Sequence, residues 1–409
     1  MVRRGVGLAL CGCASLWACH QLAGIDDDKT LVTVPGDAGQ DASLDDSGWD
    51  SGAPPTGWDP RPPPRPAGAA APSGKGVRRY FAARKIYLGS VSPSTQAADS
   101  SGWRSIGHAI DGEDTTVAII NSQTSQVCNR PGGSSPDLLA DGDDARDNVA
   151  GRLLGYGAQI LSFSFEVDLH KDLEVGRRAT YILMLEDLDP GADDPYVRGA
   201  LFISVARNLQ LESPPLWNGS DQFWLDATTV IIDQDAAAPD AGGADAGAVD
   251  GGDAAPPKIA YQPRYVFENG YVKNNIWVSG DFGKSPLTLP LYTFDPENLI
   301  DAETVTLVVE LSPNRDKAPR SMLSAVVRQD KLQTQFLPIA ERLVNCNATT
   351  ASLLMGFVSS SMDLANAPPT FEQPGSTCDA ASIGFAFDWE LVAEPAGPAF
   401  VPPAPGCGG

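Results

Sequence analysis

The sequence predicts a mainly β protein: an antiparallel β-sandwich of jelly-roll or lectin-like kind, with a few short helices and disordered linkers. Three observations predict it. Apolar residues recur with period two, as where Ile383, Phe385, Phe387, Trp389 and Leu391 alternate with Gly384, Ala386, Asp388 and Glu390. That is the mark of a strand with one buried face. Turn-forming runs such as Asp189-Pro190-Gly191, Asn218-Gly219 and Asn269-Gly270 separate the apolar stretches. Helical periodicity is scarce, which favours packed antiparallel sheets over a helix-covered parallel one.

The first element is an export signal over residues 1–18. Arg3 and Arg4 form a basic start, and residues 5–17 carry no charge. The apolar run suits a signal peptide and is too short to span a bilayer. Leu16-Trp17-Ala18-Cys19 resembles a bacterial lipobox, with Trp17 standing where a small residue is usual. Leu10-Cys11-Gly12-Cys13 has the same spacing behind a much shorter apolar run, so Cys19 is the expected lipidation site. The lipobox chemistry implies cleavage before Cys19 and several acyl chains on it, enough for firm membrane anchoring. His20 rather than aspartate follows it, which points by analogy to the outer membrane, on its periplasmic or cell-surface face.

Residues 19–77 read as a disordered acidic and Pro-rich tether containing Pro60-Arg61-Pro62-Pro63-Pro64-Arg65-Pro66. Such a composition buries too little apolar surface to offset its ordering entropy, and its prolines keep it extended. The body is expected over residues 78–395. It is interrupted at 235–257, where Asp235, Asp240, Asp245 and Asp250 recur among Ala and Gly. Residues 396–409 read as a flexible tail. Within the body, strands are expected at residues 80–88, 115–120, 161–169, 180–186, 197–205, 223–232, 271–279, 287–294, 304–311 and 383–391. Helical patterns cover 145–154 and 331–344, the latter bent by Pro338.

The chain of 409 residues carries a formal charge of −23, which makes nucleic acid and anionic lipid surfaces poor partners. With cleavage before Cys19, four further cysteines remain: Cys128, Cys346, Cys378 and Cys407. An even number in an exported chain suits disulfides. Cys346 with Cys378 closes the most local loop and is the expected pair, leaving Cys128 with Cys407 by elimination.

No catalytic motif is present, and three histidines, His20, His108 and His170, do not cluster as a transition-metal site would. The densest polar feature is Asp141, Asp143, Asp144, Asp147 and Asn148. Short acidic loops of this kind can supply calcium with oxygens, so these five are candidate calcium ligands, and no other cofactor is expected. The same residues suit a helix start, with Asp143 or Asp144 as N-cap. Two carboxylate pairs, Glu166 with Asp168 and Asp388 with Glu390, would each share a strand face. Paired carboxyls could serve a glycosidase, although same-face neighbours are more often a solvent face.

Several motifs together resemble a family of uncharacterised secreted lipoproteins of large-genome, GC-rich Gram-negative bacteria. They are Leu22-Ala23-Gly24-Ile25-Asp26-Asp27, Asp141-Gly142 with Asp147-Asn148 and Gly151, and Asp193-Asp194-Pro195 with Val197. Trp217-Asn218-Gly219-Ser220-Asp221, Gly270-Tyr271-Val272 and Cys378-Asp379-Ala380-Ala381-Ser382-Ile383-Gly384-Phe385 complete the set. The resemblance implies one continuous body and no particular activity. The expectation is therefore a lipid-anchored, non-catalytic binding or adhesion module for a surface glycan or protein ligand. The alternative is a secreted carbohydrate-active hydrolase using two carboxylates.

Overall fold

The structure, a computed structural model, describes residues 61–68, 71–112, 114–117, 128–129, 140–161, 165–210, 212–232, 260–282, 289–292, 299–338, 341, 346–365, 376–401 and 407. The signal segment, Cys19 and the 235–257 insertion lie outside them. In chain order the strands are β1 (Val77–Tyr87), β2 (Tyr181–Leu188), β3 (Arg198–Ile203), β4 (Trp224–Asp226), β5 (Val230–Ile232), β6 (Tyr261–Pro263) and β7 (Tyr265–Phe267). They continue with β8 (Tyr271–Lys273), β9 (Ile276–Val278), β10 (Leu289–Tyr292), β11 (Leu299–Glu310), β12 (Lys317–Arg328), β13 (Ala380–Val392) and β14 (Gly397–Ala399). The longer helices are α1 (Val149–Leu161), α2 (Phe165–Glu174) and α3 (Ala348–Ser359).

The protein is mainly β and antiparallel, as expected. One large sheet runs in the order β7-β3-β2-β1-β13-β12-β11-β9-β8, with β10 added to β11. The sheet curls until its two ends meet. Asp194, just before β3, exchanges backbone hydrogen bonds of 2.9 and 2.8 Å with Val272 of β8, and the Val197 N–H donates to the Gly270 carbonyl at 2.9 Å. Trp277 of β9 reaches across to Phe267 of β7, ring centroids 5.8 Å apart, and its indole N–H donates to the Val197 carbonyl at 3.1 Å. Gly199 of β3 makes room for that indole, since a Cβ there would lie 2.3 Å from the ring. Opposite walls of the one sheet thus face each other across a shared core, as two layers of a sandwich would. Phe81, Leu183, Leu201, Val309, Leu323 and Phe387 fill it.

The outward side of β1, β2 and β3 carries Tyr80, Ala82, Ile182, Met184, Ala200 and Phe202. Two small ribbons, β4 with β14 and β5 with β6, cover that side with Phe223, Leu225 and Val230. The tail expected to be flexible therefore contributes a strand, with Gly397–Ala399 running parallel to Trp224–Asp226.

Other expectations need correction. The expected strand at 161–169 is helical among its described residues: Leu161 ends α1, and α2 begins at Phe165. Phe165, Leu169 and Leu173 are spaced by four, so a helix also gathers them, and Leu169 and Leu173 are buried in the principal core. The expected strand at 223–232 is broken by a turn in which Asp226 Oδ1 accepts from the Thr228 N–H at 2.8 Å. That at 271–279 is a hairpin, turned by Asn274 and Asn275 at φ 53° and 64°, the left-handed region that Asn tolerates. Thr115 and Thr116 lie outside any strand, and 118–120 lie outside the described residues. Strand β12 was not anticipated. Seven consecutive residues, Ser321–Val327, are buried, so its sequence does not alternate.

The tether also ends earlier than expected. Asp187 accepts from the Gly74 N–H at 3.0 Å and the Gly76 N–H at 2.9 Å, and Ser73 Oγ donates to it at 3.1 Å. The expected disulfide pairing is overturned. Cys128 bonds Cys378, and Cys346 bonds Cys407. Sequence proximity was a poor guide because Cys378 is placed by backbone pairing: Asn129 and Thr377 form a parallel bridge beside it.

Candidate functional site

The inner side of β13 is bulky and its other side is small. Ser382, Gly384 and Ala386 stand directly across from Val326, Ser324 and Met322 of β12. Gly384 is small because other chain segments approach it: a Cβ would lie 3.0 Å from Asn148 Cγ and from Gly107 Cα. Residues 107–111 and 141–148 lay a buried polar cluster over this side.

The cluster begins where β1 stops short. The last partner of β13 on β1 is Ala386, which leaves further N–H groups of β13 without a neighbouring strand. Side chains take its place. Asn148 Oδ1 accepts from the Gly384 N–H at 2.9 Å. Asp363 Oδ1 accepts from the Ser382 N–H at 2.8 Å, and the Leu364 carbonyl accepts from the Ala380 N–H at 3.0 Å. Buried N–H groups left unpaired would each cost about 1–3 kcal/mol, so these acceptors complete the edge. Asn148 Oδ1 also accepts from the Gly151 N–H at 2.9 Å, capping α1 at its third residue. The Val149 N–H donates to Ser382 Oγ at 2.9 Å. Asn148 is thus the N-cap, in place of the expected Asp143 or Asp144.

Asp147 is buried and accepts from the Ile110 N–H at 2.5 Å and the Asp111 N–H at 3.2 Å. Asp141 accepts from the Thr115 N–H at 2.5 Å. Burial, reinforced by Asp111, pushes the Asp141 carboxyl up to about 8. Burial, then Asp111, Asp141 and Asp363, holds Asp147 well above the usual carboxylate range. Burial pushes Asp363 up to about 7 against two bonds from Ser382. Burial thus disfavours the charged form of all three carboxyls. Beside them His108 Nδ1 lies 2.7 Å from Ser324 Oγ. Burial, with Arg146 nearby, drives this imidazole down to about 3, so it is neutral. Arg146 Nη1 donates to the Gly107 carbonyl at 2.7 Å.

The five expected calcium ligands are not brought together as a ligand set. Asp141 and Asp147 turn inward, and Asn148 caps a helix and a strand edge. Asp143 pairs with Arg104 at 3.1 Å on the surface, and Asp144 is exposed with a left-handed φ of 57°. Among the described residues, no group of three or more His, Cys, Asp or Glu side chains is arranged to hold a metal ion. The sequence reading missed His108, Asp363 and Ser382 as members of the cluster. The usable signal was the small-residue side of β13, which marks close approach of another segment.

The carboxylate pairs also separate. Glu166 is buried on α2 and accepts from the Leu88 and Ser90 N–H groups, both at 2.8 Å. Asp168 is exposed and pairs with Lys171 at 3.2 Å. Asp388 accepts from Tyr87 Oη at 2.7 Å, and burial pushes it up to about 6. Glu390 lies 3.5 Å from Arg84 Nη1.

One surface cavity of about 440 Å³ is lined by Arg78, Arg79 and Tyr80 of β1, Leu391 and Val392 of β13, and Glu394. Arg78 is drawn towards Glu186, its ion-pair partner. The Nε of Arg79 is buried and has no hydrogen-bond partner among the described residues. No protein-family model, curated protein or solved structure matches this chain.

Proposed function

We propose that this chain is an exported lipoprotein, anchored in the outer membrane through Cys19, whose β body is a non-catalytic binding or adhesion module. One observation carries the choice of binding over hydrolysis: each carboxyl of the two candidate pairs is engaged in a structural bond. Glu166 braces the chain after β1, Asp168 pairs within its helix, Asp388 is held by Tyr87, and Glu390 faces Arg84. A retaining or inverting glycosidase needs two carboxyls flanking a substrate, one of them free to donate its proton. The cavity at Arg78, Arg79 and Tyr80 supplies what a binding site needs instead: donors, an aromatic ring and apolar walls. Its ligand class would be a surface glycan or a protein loop with an acidic group for the arginines.

The anchor is tested by mass analysis of protein extracted from membranes. A diacylated or triacylated N-terminal Cys19 is expected, and Cys19→Ser should move the protein to the soluble fraction. An unacylated product starting elsewhere would refute the anchor. For the binding reading, Asp388→Asn with Glu390→Gln should leave adhesion to whole cells or glycan surfaces unchanged. Hydrolytic activity on polysaccharides that these two substitutions abolish would overturn it.

A further inference from the structure

The Pro-rich run is clamped on the body at the seam where the curled sheet closes. Arg65 makes the main contacts. Its guanidinium donates to the Pro195 carbonyl at 2.8 Å and to the Asn269 carbonyl at 2.5 Å. It lies 4.6 Å from the centroid of the Tyr271 ring, and 3.8 Å from Asp281. Two residues earlier, Tyr271 Oη donates to the Pro63 carbonyl at 2.6 Å. Gly68, at φ 151°, lets the chain pass Pro195: a Cβ there would lie 2.9 Å from that ring.

These contacts form a recognition pattern. Two carbonyls, an aromatic face and a carboxylate surround one cation, which is how a guanidinium is selected over a point charge. The tyrosine hydroxyl reads a backbone carbonyl that proline leaves exposed in an extended chain. Prolines before and after Arg65 reduce the entropy lost on docking, as in other recognition of Pro-rich segments. The groove is built by residues far from the run in sequence, on β8 and the turns beside it.

We infer that this groove is a receptor for an arginine flanked by prolines in an extended peptide, filled here by the chain's own residues 62–66 and open to the same chemistry supplied in trans. The inference goes beyond the binding reading above and does not depend on acylation of Cys19. Occupation in cis acts as a block, because a short linker gives the tethered segment an effective concentration of about a millimolar. A free peptide must compete with that.

The probe is a fluorescent synthetic peptide of residues 58–68, measured by anisotropy against the full chain. Arg65→Ala removes the cis occupant's cation and leaves the groove intact. The peptide should bind this variant at least about 10-fold tighter than wild type. Adding Tyr271→Phe to that variant should weaken binding severalfold, and a peptide with alanine for Arg65 should not bind. Should Arg65→Ala misfold by circular dichroism, Arg65→Lys gives the same comparison, since it keeps the charge and loses the fork. Equal affinity for wild type and variant, no binding to a folded variant, or equal binding of the alanine peptide would each overturn the inference.

Discussion

Asp363→Asn is the sharpest perturbation of the buried cluster. Its carboxyl titrates at 3.8 when unfolded and at about 7 when folded. The folded protein therefore holds this proton over a window where the unfolded chain has lost it. Stability from this group is full below 3.8 and is lost as pH rises through about 7. By linkage the loss between about pH 5 and about pH 8.5 is about 2.7 kcal/mol. Asp363 is only half-buried by accessible surface, so solvent screening brings the figure nearer to about 2 kcal/mol. For a body of this size that is about 5 °C in Tm. Asparagine retains the acceptor for the Ser382 N–H and cannot ionise. His108 and His170, driven down to about 3 and about 4, contribute the opposite slope below 6.5, and they cancel in the difference between the two proteins. The assay is calorimetry of wild type and Asp363→Asn across that pH range. Wild type should lose about 2 kcal/mol more than the variant on the alkaline side. Parallel pH profiles would refute the assignment of a retained proton to Asp363.

Three further outcomes are expected. Gly199→Ala forces a Cβ to 2.3 Å from the Trp277 ring and should cost about 1–3 kcal/mol in urea denaturation. By contrast Gly356→Ala in α3, with nothing within 4 Å of a new Cβ, should stabilise by up to about 1 kcal/mol; equal effects would disprove closure at the Trp277 seam. Mapping of unreduced proteolytic peptides should join Cys128 to Cys378 and Cys346 to Cys407, and recovery of Cys346 joined to Cys378 would contradict this fold. Millimolar calcium or a chelator should move Tm by less than about 1 °C, whereas a ligand at a hundredfold its Kd would add about 2.7 kcal/mol.

The fold class was legible because β13 alternates bulky and small residues, and because β2 and β3 are short apolar runs with turn residues between them. In β13 the aromatic residues face the core, and on the other side Gly384 meets Asn148 and Gly107. Legibility failed at β12, where Ser321 and Ser324 interrupt the apolar run that marks the equally buried β2 and β3. Ser321–Val327 of β12 is covered on both faces, so no alternation marks it. It failed again at 161–169, where Phe165 and Leu169 fit periods of two and of nearly four equally well. The contact of Leu169 and Leu173 with the core decided for the helix. The candidate site was half legible. Its acidic loop was visible in sequence, but Asn148 and the helix start are placed by Gly384 and Ser382, which lie more than two hundred residues away. The docked strap was illegible from composition, because a proline run reads as tether unless the groove for its arginine is known.

One residue of the acidic loop, Asn148, completes a strand edge together with the distant Asp363. Strand β13 outlasts β1, and its N–H groups beyond Ala386 need acceptors that no strand supplies. A carboxylate or amide oxygen serves, but bringing it there buries it. For Asn148 the cost falls on an amide nitrogen with no hydrogen-bond partner among the described residues. For Asp363 it falls on the charge, and burial pushes that carboxyl up to about 7. A neutral asparagine at Asp363 would meet the same backbone requirement. The aspartate therefore adds a pH dependence that edge completion alone does not require.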